Sequence, residues 1–225
     1  MEEIKSKKEY NDKFVMRESA NSFEEKKLRL EQVLDIRKYE IDLYWKRATY
    51  FWTFIAATLT GYGLTQIAKE SVSINKFQFI IVCLGLIFSF AWYLVNRASK
   101  YWQENWEKHL DMLEDEIIGP LYKTTIHPST YSRSFSLTGA LSHSVSRINI
   151  LLSFFVFLIW IATLIELFVS KKISISLCAP DPFYTFIGVI TIAAFIFLIR
   201  QKSQYENTKV HFLLRKIRVD DNDDK

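Results

Sequence analysis

Hydrophobic positions in this chain gather into four runs rather than alternating with polar ones. Run one is TYFWTFIAATLTGYGLTQIA, residues 49–68, and run two is FQFIIVCLGLIFSFAWYLVN, residues 77–96. Run three is INILLSFFVFLIWIATLIELFVS, residues 148–170, and run four lies within 183–199 as FYTFIGVITIAAFIFLI. A membrane-spanning helix needs roughly 20 apolar residues, and about 17 suffice. Buried helices of a water-soluble protein would need far more amphipathic sequence to cover four such all-round apolar segments. The pattern predicts an all-α membrane protein with four transmembrane helices per chain.

Between the runs the period changes to that of amphipathic helices. Apolar residues Trp102, Trp106, Leu110, Leu113 and Ile117 follow run two at spacings that keep them on one helix face, with charges on the others. Residues 97–122 are therefore expected to carry run two into water without a break, as one helix from Phe77 to Ile118 that Gly119 and Pro120 end. Residues 1–48 are expected to form an amphipathic helix with Phe23, Leu30, Leu34, Ile41 and Trp45 along a heptad-like stripe. Ser22 with Glu25 is a capping box for its start. The tail, 200–225, offers a third stripe in Val210, Leu213, Leu214 and Ile217. These segments are expected to pack as a helical stalk and to join subunits in a homo-oligomer. Residues 123–147 are Ser- and Thr-rich and read as a connecting loop.

Lysine and arginine set the orientation. Residues 1–48, 97–147 and 200–225 hold 12, 6 and 7 of them, against 4 in the two remaining linkers. Cytoplasmic loops carry the excess, so both termini are expected in the cytoplasm. The first residues lack an apolar core, which argues against a cleavable signal peptide. The two cysteines, Cys83 and Cys178, make no disulfide framework.

The search for chemistry yields no phosphate loop, metalloprotease or hydrolase signature, so an enzyme is not expected and neither is a cofactor. His127 and His143 lack companions at ligand spacing, so no metal is expected. Thr49, Thr53, Ala56, Thr60 and Gly63 form a stripe of small and hydroxylated side chains along run one. Such a stripe either permits close helix packing in lipid or lines a polar path when repeated around an oligomer. Glu166, the one charged residue inside an apolar run, is a second candidate for that path. Glu114, Asp115 and Glu116 read as a solvated face or as a carboxylate ring about a symmetry axis. Basic clusters at Lys26, Lys27 and Arg29 and at Arg215, Lys216 and Arg218 are candidates for an anionic ligand, a nucleotide or oligonucleotide among them. Basic residues next to the spans, such as Lys46 and Arg47, are expected to meet lipid headgroups.

Two blocks go beyond composition. KYEIDLYWKRATYFW, residues 38–52, and FSFAWYLVNRASKYWQENWEKHLDMLEDEIIGPLYK, residues 88–123, resemble the RipA family of octameric bacterial inner-membrane proteins. The resemblance implies a symmetrical homo-oligomer, an octamer, in the bacterial inner membrane. It supplies no catalytic residues, and it makes runs three and four and the basic tail an addition to a shorter plan. The expectation is a non-enzymatic pore or ion channel gated by its cytoplasmic helices, a cytoplasmic coiled coil in effect, acting in stress, virulence or phage defence. The competing expectation is a membrane scaffold that recruits a soluble cytoplasmic enzyme and conducts nothing.

Overall fold

A computed structural model describes residues 2–4, 23–124, 143–170, 181–201 and 212–214. Four helices dominate: α1 is Phe23–Ile67, α2 is Val72–Leu113, α3 is Val145–Val169 and α4 is Pro182–Arg200. A 3-10 turn, Glu114–Glu116, prolongs α2, and Gly119 takes the positive φ of 73° that turns the chain away. Two short strands, β1 (Glu2–Ile4) and β2 (Phe212–Leu214), pair antiparallel with Glu2 opposite Leu214. The expected helix over residues 1–48 therefore starts at Phe23, next to its capping-box serine, and is replaced by a strand at 2–4. Leu213 and Leu214, expected on an amphipathic stripe, also lie in a strand; Val210 and Ile217 fall outside the described residues.

Both long helices are continuous through the point where the sequence changes from charged to apolar. In α1 no Pro interrupts 45 residues, and only Ala68–Ser71 separates it from α2. The α2 helix starts five residues ahead of run two, with the Ser71 side chain accepting from the Ile74 backbone N–H at 3.2 Å. Ser144 caps α3 in the same manner, and Asp181 caps α4 with Pro at the first turn, where a missing N–H costs nothing.

Along α1, Leu30, Tyr44, Ala48, Ile55, Thr58 and Thr65 are buried, with Leu34, Ile41 and Tyr62 half-buried between them. Steps of three and four alternate throughout, the repeat of a coiled-coil seam. Trp45, expected on this stripe, is exposed, because the seam steps three residues from Ile41 to Tyr44. Along α2 the same alternation runs through Gln78, Val82, Gly85, Ser89, Trp92, Asn96 and Ser99, all buried.

The chain forms two compact units. One comprises residues 36–106 and 126–202. Its apolar core joins Phe79, Ile81, Val82, Cys83 and Leu86 of α2 to Trp160 and Leu167 of α3, with Tyr184, Ile187 and Phe195 of α4 packed against it. At its centre the Trp160 indole lies on the α2 backbone at Gly85, where a Cβ would come within 2.3 Å of the ring. The other unit comprises residues 1–35, 107–125 and 203–225. There Leu30 and Leu110 are buried, and Lys26 Nζ meets Glu116 Oε2 at 2.5 Å.

Among the described residues three helices, α2, α3 and α4, are long and apolar enough to cross a membrane. Run one lies in α1 and falls short of that standard, because Thr occupies five of residues 49–67. Of the apolar segments, half of that in α2 is buried inside the chain, against 17% in α3 and 6% in α4. The α2 helix is therefore the centre of the fold and α4 its least enclosed member.

Candidate functional site

Run one divides into two faces. Ile55, Thr58 and Thr65 pack inside the chain, and Gly61 lets Ile81 approach to 3.3 Å of where a Cβ would stand. All five residues of the small and hydroxylated stripe, Thr49, Thr53, Ala56, Thr60 and Gly63, are exposed, and no atom lies within 4 Å of a Cβ built on Gly63. The stripe thus plays no part in packing this chain against itself. Thr49 Oγ donates to the Trp45 carbonyl and Thr53 Oγ to the Thr49 carbonyl, each at 3.0 Å. Their protons are committed to the helix, so the outward surface offers oxygen lone pairs, the acceptors that a cation or water requires.

The structure does not bring Glu166 to that stripe. Glu166 is exposed near the end of α3 and accepts from the Tyr62 hydroxyl at 3.4 Å. At about 100° per residue, Tyr62 lies on the side of α1 away from Thr53 and Thr60. The six residues expected to line one path therefore occupy two places.

A polar network that sequence reasoning missed joins three helices. The Asn149 amide of α3 donates to the Tyr44 hydroxyl of α1 at 2.6 Å. The Asn96 amide of α2 donates to the Asn149 carbonyl at 3.2 Å and to Ser153 Oγ at 3.3 Å. Arg47 of α1 reaches Ser99 Oγ at 3.3 Å, and Ser146 donates to Gln103 at 3.0 Å. Tyr44, Asn96, Asn149 and Ser153 are all buried. Burial pushes the Tyr44 phenol up, against the smaller opposing pull of the Asn149 bond, so the hydroxyl stays protonated at neutral pH. Uncharged partners suit such a place, since an ion there would bear a desolvation penalty of several kcal/mol. The signal was present: Ser89 and Asn96 stand seven residues apart in run two, and Asn149 and Ser153 four apart in run three.

The acidic cluster has partners within the chain. Glu114, fully buried, accepts the backbone N–H groups of Tyr122 and Lys123 at 2.8 and 3.2 Å, which fastens the turn after Gly119. Asp115 pairs with Lys123 at 2.7 Å and Glu116 with Lys26. Glu114 thus holds a turn, which corrects the expectation of a solvated face at that position, whereas Asp115 and Glu116 are exposed as such a face requires and pair there with lysines. Of the basic candidates, Lys26 is so paired, Arg29 stands 3.7 Å from Glu25, Lys27 is exposed, and Arg215, Lys216 and Arg218 lie outside the described residues.

The stalk residues also divide. Leu110 and Leu30 are buried, and Leu34, Ile41, Trp106, Leu113 and Ile117 are half-buried. Trp102 remains 39% exposed, one position off the seam that passes through Ser99, Gln103 and Trp106. Among the described residues no group of His, Cys, Asp or Glu is arranged to hold a metal ion.

A model of the octameric membrane protein family matches residues 27–169. That stretch holds nearly all of α1, the whole of α2 and α3, the exposed stripe and the buried network. It extends through run three, so residues 1–26 and those from 170 on, α4 among them, lie outside the matched part, a correction to the expectation that run three was an addition. No curated protein and no solved structure matches the chain. The match covers well over half of the sequence and agrees with three membrane-length apolar helices; the chain is a membrane protein and belongs to the octameric membrane protein family.

Proposed function

We propose that this chain forms a homo-octamer in the bacterial inner membrane, with both termini cytoplasmic, and that the exposed faces of eight α1 helices enclose a narrow polar path. The observation that carries this reading is the outward stripe of Thr49, Thr53, Ala56, Thr60 and Gly63. A single chain leaves this hydroxyl-rich face uncovered while it buries the opposite one. Lipid tails cannot hydrogen-bond such a face, so it needs water or another copy against it. The pairing of β1 with β2 supports a fourth crossing by α1, because strands that bond to each other must lie on the same side of the membrane. With α2, α3 and α4 as spans, only a spanning α1 gives the even count this requires. On this reading the water-facing parts of α1 and α2 control the path, the protein performs no enzymatic reaction, and its role is that of a stress, virulence or phage-defence effector.

The test is ion flux from liposomes containing the purified oligomer. A leak that Gly63→Leu or Thr60→Leu reduces, with the oligomer intact by size, is the expected result. Sealed liposomes at high protein density would remove the pore. A scaffold is the second reading, favoured by exposed aromatics in the water-facing parts, Tyr39, Tyr101 and Trp102. It predicts a soluble enzyme retained in stoichiometric amount on the purified oligomer, with no flux.

A further inference from the structure

From the end of the apolar run in α2 and the start of α3 we infer a binding site for an anionic phospholipid, formed by Arg97 and Arg147 above an aromatic floor. Phe90 and Tyr93 lie on the face of α2 that meets α3 and α4. The Phe90 ring is 5.2 Å from Phe157 and 4.9 Å from Phe195, and Tyr93 is 5.5 Å from Phe154. Arg97 follows Tyr93 by one turn, and its guanidinium sits 5.6 Å from the centre of that ring. Arg147 precedes Phe154 by seven residues and so rises from the same face of α3. The bonds from Asn96 to Asn149 and from Ser146 to Gln103 hold this stretch of α2 beside the start of α3.

Both arginines are exposed and neither forms an ion pair among the described residues. The other basic side chains nearby behave differently. Lys100 is tied to Glu104, and Arg47 is shared between Ser99 and Glu40. Two unpaired guanidinium groups on adjoining helices, where the apolar segments end, match the phosphate of a headgroup, which arginine can grip with two parallel bonds. The rings beneath them supply an apolar surface at the depth where acyl chains begin. A basic pocket between membrane helices is a recognised place for such headgroups. This occupant is a lipid rather than a soluble phosphate compound because the aromatic floor continues down α2, α3 and α4 from the charged rim. The site rests on the membrane location of the chain and is independent of the pore.

The experiment is retention of phosphatidylglycerol against phosphatidylcholine by the intact oligomer, read by native mass spectrometry after extraction from mixed vesicles. Phosphatidylglycerol is expected to be favoured, and Arg97→Gln with Arg147→Gln to lower its retention by about fivefold for each arginine, at about 1 kcal/mol apiece. Lys108→Gln, which removes an exposed charge three turns beyond Arg97 on α2, is expected to leave retention unchanged. Equal retention of the two lipids by the wild type would overturn the site. So would a double variant that retains phosphatidylglycerol as well as the wild type, or an equal loss in Lys108→Gln, which would make the attraction general. Inorganic phosphate at millimolar concentration should not displace the lipid; displacement would assign the arginines to soluble phosphate instead.

Discussion

The run-one half of α1 and the apolar run of α2 are built on the same repeat and dispose of their polar side chains in opposite ways. Within its apolar run α2 buries Gln78, Ser89 and Asn96 along its seam and presents apolar residues elsewhere. Ser89 donates to the Gly85 carbonyl at 2.7 Å, and Asn96 finds two acceptors on α3. The α1 helix buries Thr58 and Thr65 but keeps Thr49, Thr53 and Thr60 on the outside. One helix turns its polar side chains into its own chain, although Gln78 Oε1 and Trp92 Nε1 find no partner there among the described residues. The other leaves three threonines uncovered, and in the proposed octamer another copy, or the water that copies enclose, lies against them.

The contrast predicts where substitution should harm the single chain and where only the assembly. The largest effect belongs to the α2 side. Gly85→Ala would drive a methyl group into the Trp160 indole, with three ring atoms between 2.3 and 2.6 Å from the new carbon. Overpacking of this kind costs about 1–3 kcal/mol, which thermal melting of the detergent-extracted oligomer would register. Adding Trp160→Leu should recover part of the loss. Next comes the buried network: Asn96→Leu strips the Asn149 carbonyl and Ser153 of a donor, and should cost about 1–3 kcal/mol in the same melt. Tyr44→Phe, which takes the acceptor from the Asn149 amide but adds no bulk, should cost about 1 kcal/mol.

In the unit that holds residues 107–125, Glu114→Leu should loosen the turn at Tyr122 and Lys123, seen as faster hydrogen exchange of those two amides. The smallest effect concerns His109. Burial holds its pKa below the ordinary value, so the folded form favours neutral imidazole. As pH falls through the unfolded value of about 6.5, the unfolded chain takes up the proton first and stability declines. His109→Gln should flatten that part of the stability profile.

The four long helices were legible because their signals are local, whereas the two short strands were not. Alternating steps of three and four, a serine or aspartate before each of α3 and α4, and Gly119 after α2 all act within a few residues. The uninterrupted passage from run two into charged sequence was equally visible, although α2, Val72–Leu113, begins and ends five residues earlier than the pattern from Phe77 to Ile118 implied. What escaped depended on which helix lies against which. Trp45 and Trp102 looked like seam residues because an indole is large and apolar, yet Tyr44 and Gln103 hold the more enclosed positions. Steps of three and four differ by a single residue, and only the neighbouring helix decides between them. The acidic cluster misled for a related reason. A fully buried Glu114 becomes explicable once the turn at Gly119 brings two backbone N–H groups back to it. Run one was marked by its threonines, and the structure adds that they divide between an inner and an outer face.

The outer face can be tested at one atom. Thr53→Cys in a Cys178→Ser background leaves Cys83, which is buried, as the other thiol. In liposomes a charged, membrane-impermeant thiol reagent is expected to label the introduced thiol and to stop ion flux, while Leu151→Cys on the exposed face of α3 remains unlabelled in lipid. A Thr53→Cys thiol that stays inert in a protein that conducts freely would contradict the account, and would place the path somewhere other than the threonine face of α1.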